Sequence, residues 1–180
     1  MWGVAQESVP EDALLRTYQG GRHPERWGRY GDCFSVSVDR EVTLGEFVFA
    51  FYTSWVFRIE RVILRLLTAT ASTDEGARAV AEGLEGAFAV WVVGERTSTQ
   101  LLMCDRYERT RSWFRVVPMV GGTKLQFGSA VVAEGNDNTG AKVLGGRFRL
   151  LLGFHVLYSR VLLNAAKRGV MKTDQGKVAG

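Results

Sequence analysis

The order of recognisable elements constrains this chain more than any single motif. Cys33-Phe34-Ser35-Val36-Ser37-Val38 alternates polar and apolar residues, which predicts a half-buried strand with Phe34, Val36 and Val38 on one face. A long helical pattern over 44–67 and a shorter Ala-rich one over 75–84 follow. Four strand-like runs come next, at 88–95, 99–107, 110–118 and 123–132, joined by short connections that imply antiparallel hairpins. A last helix is predicted over 147–167. One strand, two helices, a meander and a closing helix predict an α+β chain whose curved antiparallel sheet wraps around the C-terminal helix. Residues 1–31 read as an irregular N-terminal segment, 32–169 as a single domain and 170–180 as a tail.

Local signals support the two central helices. Thr43-Leu44-Gly45-Glu46 matches a capping box, in which the threonine hydroxyl and the Glu46 carboxylate satisfy each other's backbone amides. Phe47, Phe51, Trp55, Ile59, Val62 and Leu66 then recur at helical spacing. Ser72-Thr73-Asp74-Glu75 marks the second start, and Gly83 and Gly86 its end. Lys167 and Arg168 complement the dipole of the closing helix, with Gly169 as its stop.

Composition excludes several classes. The net charge is +4, and the basic residues are interleaved with acidic ones, as in Asp105-Arg106-Tyr107-Glu108-Arg109. A dedicated nucleic-acid arm is therefore not expected. The 2 cysteines, Cys33 and Cys104, make neither a disulfide scaffold nor a four-cysteine metal site, and both are expected as buried free thiols. No metal and no cofactor are expected. The longest apolar run, 47–57, falls short of the ~20 residues a membrane-spanning helix needs. Met1–Pro10 has no charged start followed by an apolar stretch, so the chain reads as cytoplasmic.

Three groups of residues can carry chemistry. His155 falls on the apolar side of the closing helix with Leu151, and Tyr158 is one turn on. His155 is either a hydrogen-bonded core histidine or an acid/base near neutral pH, with Tyr158 or Arg111 as helper. Arg111 and Trp113 share one face of their strand, opposite Thr110, Ser112 and Phe114. Facing inward they would clamp and stack on a ligand; facing outward they would form a solvated patch. Phe127 shares a face with Leu125 and Ser129, and is a candidate ligand contact. The aromatics of the first long helix, among them Phe51 and Trp55, exceed what one face can bury. They mean a helix buried nearly all round, a ligand mouth, a homodimer contact or a membrane-touching patch.

The element order resembles the helix-grip fold of the START/SRPBCC superfamily (polyketide cyclase-like proteins), and the stretches Tyr30-Gly31-Asp32-Cys33-Phe34 and Phe154-His155-Val156-Leu157-Tyr158-Ser159-Arg160 resemble motifs of one branch within it. The closer likeness is to a mostly bacterial branch of domains of unknown function, over about residues 25–170. The resemblance implies a small hydrophobic ligand held between sheet and closing helix. It transfers no catalytic residue. A full helix-grip sheet has six or seven strands, whereas five are legible here. The expected function is binding of that ligand. The alternatives are a cyclase-, dehydratase- or isomerase-like enzyme using His155, and a homodimerising module built on residues 44–67.

Overall fold

The computed structural model describes residues 3–19, 30–68, 72–107, 110–131 and 157–172. Its elements run β1 (Ala5–Glu7), α1 (Leu14–Thr17), β2 (Tyr30–Val38), α2 (Leu44–Tyr52), α3 (Trp55–Thr68), α4 (Asp74–Glu82), β3 (Ala87–Phe88), β4 (Trp91–Arg96), β5 (Gln100–Asp105), β6 (Thr110–Met119) and β7 (Gly122–Val131). The closing helix α5 is described over 157–172. The sheet is antiparallel, curved and unclosed, in the order β1-β2-β7-β6-β5-β4-β3.

Among the described residues seven strands stand where five were legible. Two are short. β1 lies in the segment read as irregular and pairs with β2, Gln6 opposite Phe34. β3 pairs with β4 through the two-residue turn Ala89-Val90, which holds Ala89 at φ 54°. A non-glycine residue in that region costs about 1–2 kcal/mol, offset here by the pairing on either side.

The long helix read over 44–67 is two helices. The Thr43–Glu46 capping box forms as expected and starts α2. At its end the Thr53 hydroxyl donates to the Phe49 carbonyl (2.7 Å), and the Ser54 hydroxyl accepts from the Phe57 amide (3.3 Å). This polar pair closes one helix and caps the next. The break also turns the stripe. Phe47 and Phe51 are buried, whereas Trp55, Ile59 and Val62 are 63%, 54% and 59% exposed. α4 is capped by Thr73 and ends at Gly83 (φ 79°), whose lack of a side chain permits the left-handed turn. The Arg96 guanidinium donates to the Val80 and Ala81 carbonyls and so covers that end.

Gly169 does not stop the closing helix, which runs to 172. It lies against Ala50 of α2, where a Cβ would come within 3.1 Å of the Ala50 methyl. The missing side chain lets α5 approach α2.

The sheet is covered on both faces. The inner face carries Phe34, Phe127, Phe114 and Leu101 in one cross-strand row, packed under the helices. The outer face carries Cys33, Gly128, Trp113 and Leu102, packed under Ala13, Leu14 and Leu15. Gln100 docks this outer layer. Its Oε1 accepts from Trp113 Nε1 (2.8 Å) and from the Leu14 amide (3.0 Å), while its Nε2 donates to the Asp12 carbonyl (3.2 Å). α1 has no side-chain cap of its own at Ala13, so Gln100 supplies the missing acceptor from across the sheet. Arg115 adds a bidentate pair to Asp12 at 2.9 and 2.8 Å.

Two outcomes follow from these contacts. Gln100→Ala strands two donors, each costing about 1–3 kcal/mol when buried unpaired. Urea unfolding should show a loss of at least about 2 kcal/mol; a loss under about 0.5 kcal/mol would contradict the docking role. Asp74 joins α4 to α3 by ion pairs with Arg61 (2.5 Å) and Arg58 (2.7 Å). The hydrogen bond from Arg61 holds its carboxyl below the ordinary 3.8, although partial burial works the other way. A depressed native value gives stability that is complete above the unfolded value and lost as pH falls through the native one. The Tm difference between the wild-type chain and Asp74→Asn should thus shrink below about pH 4. A gap unchanged down to pH 2.5 would refute the assignment.

Candidate functional site

A partly open cavity of about 230 Å³ lies between the inner face of the sheet, the α2–α3 junction and α5. Each wall follows from local structure. Phe51 and Tyr52 reach it from the last turn of α2, and Phe57 from the first turn of α3, because Thr53 and Ser54 fold the chain back between them. Phe127, Ser129, Ser112 and Thr110 come from alternate, inner-face positions of β7 and β6. α5 adds Tyr158, Ser159 and Leu162, and β4 adds Trp91.

The rings hold one another. Phe51 meets Phe127 at 4.7 Å and Phe114 at 4.8 Å between centroids, and Tyr52 meets Phe57 at 4.8 Å. Such pairs contribute about 0.5–1.5 kcal/mol each beyond burial, which keeps this wall rigid.

The polar groups are few. Asp32, buried on the inner face beside Ser129, accepts from the Ser129 amide (3.1 Å) and hydroxyl (2.7 Å) through one oxygen. Asp105 accepts from the Thr110 amide and hydroxyl and from the Tyr107 amide, closing the β5–β6 turn. Ser159 is 1% exposed, and its hydroxyl has no hydrogen-bond partner. The indole N–H of Trp91 is likewise shielded and unpartnered. Among the described lining residues there is no carboxylate, imidazole or thiol. Burial pushes the Cys33 thiol up to about 12, on the opposite face of the sheet. Cys104 is only half-buried, unlike the buried thiol expected for it. No group of three metal-binding side chains occurs among the described residues, and no helix there is long and apolar enough to cross a membrane.

The candidates read from the sequence divide cleanly. Phe51, Phe127 and Tyr158 line the cavity together. Trp55 does not: the Thr53-Ser54 break turns it to solvent. Trp113 does not either, since it is fully buried on the outer face under α1. Arg111 borders the cavity, but its register with Ala130 and Cys104 puts the side chain on the outer face. There its guanidinium lies 5.1 Å over the Tyr18 ring, and Arg111 is buried rather than part of a solvated patch. Leu151 and His155 lie outside the described residues.

Sequence reasoning passed over Ser112, Ser129, Ser159 and Trp91. Two were legible, because Ser112 alternates in step with Phe114, and Ser129 with Phe127. A hydroxyl on an otherwise apolar strand face is the signal for a polar point in a cavity wall.

No family model matches the chain, and no curated protein or solved structure matches it at a significant level. What the structure defines is a class: an α+β chain whose curved, unclosed antiparallel sheet carries its C-terminal helix across an aromatic-walled cavity.

Proposed function

We propose that this chain is a helix-grip-like binding domain of START/SRPBCC type, which holds a small apolar molecule between its sheet and α5. The observation that carries the reading is the cavity of about 230 Å³, walled by Phe51, Tyr52, Phe57, Phe127 and Leu162. The order β2-β7-β6-β5-β4-β3, with helices after β2 and a closing helix, supports the same reading. This chain departs from that pattern in three helices after β2, an added edge strand β1 and an outer layer built on α1.

Volume sets the size of the occupant. An apolar cavity of ~150 Å³ accepts benzene, with six heavy atoms. In proportion, about 230 Å³ accepts about nine. A long-chain fatty acid exceeds this, and a substituted single ring fits.

An alkylbenzene series tests the reading. A ligand at 100-fold its Kd adds about 2.7 kcal/mol to native stability. That raises Tm by several degrees for a chain of this size. Stabilisation should grow from benzene to propylbenzene and disappear for octylbenzene. Ser112→Leu, which fills the inner face, should abolish it. No stabilisation by any member of the series would overturn the proposal.

A further inference from the structure

The cavity exists where two serines replace bulky side chains on the sheet. One inner-face row, Phe34, Phe127, Phe114 and Leu101, is filled by large residues. The next row along the strands is Asp32, Ser129, Ser112 and Met103. Ser112 and Ser129 leave the strand backbone within reach of the cavity. Arg111 and Ala130 therefore border it, although both side chains belong to the outer face. The two serines form the floor on which an occupant rests.

Ser112 and Ser129 stand directly opposite each other. Such positions hold their Cβ atoms about 4.5–5.5 Å apart, so a single ligand group can meet both hydroxyls. Ser112 is only half-buried, whereas Trp113 and Phe114 beside it are fully buried. Its side chain stands on the inner face, so that accessible surface belongs to the cavity.

Hydrogen-bond direction sets the polarity of the floor. The Ser129 hydroxyl donates to the Asp32 carboxylate (2.7 Å), and the Thr110 hydroxyl donates to Asp105 (2.8 Å). A hydroxyl has one proton and two lone pairs, so toward an occupant both of these oxygens can only accept. The Asp32 charge behind Ser129 also favours a donor there. Of the three floor hydroxyls, Ser112 is the one whose proton is not committed to a carboxylate.

Resting on the binding role proposed above, we infer that the Ser112–Ser129 pair selects a single-ring molecule bearing a hydroxyl group, a phenol or small aromatic alcohol. The ligand hydroxyl donates to Ser129 and accepts from Ser112, while its ring packs against Phe51 and Phe127. An ether of the same size can only accept, and a hydrocarbon does neither. A carboxylate is the competing occupant, because the Arg160 guanidinium lies 5.7 Å over the Phe34 ring in the neighbouring row.

Four probes of equal heavy-atom count separate these terms: para-ethylphenol, para-methylanisole, cumene and benzoate. Calorimetric titration of the full chain should show para-ethylphenol binding tightest. Ser112→Ala should weaken it about three- to tenfold relative to cumene, the loss expected for one hydrogen bond. Ser129→Ala should do the same, with the Ser129 amide still donating to Asp32. If cumene binds while para-methylanisole matches para-ethylphenol, or while neither variant changes the ratio of phenol to cumene affinity, the inference falls and the cavity reading stands. Benzoate binding more tightly than para-ethylphenol also overturns it, in favour of an anion held by Arg160. If none of the four binds, the binding role itself falls.

Discussion

The structure depends on the seating of Phe51. Its ring packs on Phe114 and Phe127, the centre of the inner sheet face, at 4.8 and 4.7 Å. That contact fixes α2 against the sheet, and through Gly169 and Ala50 it fixes how closely α5 can lie beside α2. The same ring lines the cavity. Core and site therefore share a wall: the aromatic packing that holds the layers together gives the cavity its shape.

The second constraint is the double cover of the sheet. An antiparallel sheet can leave one face to water, and the alternation along β6 reads that way, with Arg111, Trp113 and Arg115 opposite Ser112 and Phe114. Here α1 covers the outer face, held by Gln100 and by the Arg115–Asp12 pair. Gly128 has no side chain, and a Cβ there would meet the Asp32 carbonyl at 2.8 Å and Trp113 at 3.0 Å. The missing side chain thus lets the indole approach the strand closely. This layer stabilises the sheet from behind and leaves the inner face to the helices and the cavity.

Much of the scaffold was legible in the residues. The alternation in β2, the Thr43–Glu46 box and the hairpin meander each rest on interactions within a few residues, which local pattern reports well. β1 was not legible: Ala5–Glu7 has no strand signature and is ordered by pairing with β2. The Thr53-Ser54 pair was visible as an interruption. Its effect, turning Trp55 from core to solvent, depended on the side-chain bonds to Phe49 and Phe57. For the site, Phe51 and Phe127 followed from helical and strand periodicity. Trp113 lies away from the cavity because which face of β6 lines it depends on the four-residue helix α1, whose N-terminus is capped by a distant Gln100.

The central claim is that a space open to an apolar guest exists between the sheet and α5. Diffraction from crystals pressurised with xenon tests it most directly, since xenon enters apolar cavities without needing a hydrogen bond. The account predicts a xenon atom bounded by Phe51, Phe127 and Leu162. Electron density showing those three side chains in mutual contact, with no xenon between them, would contradict it.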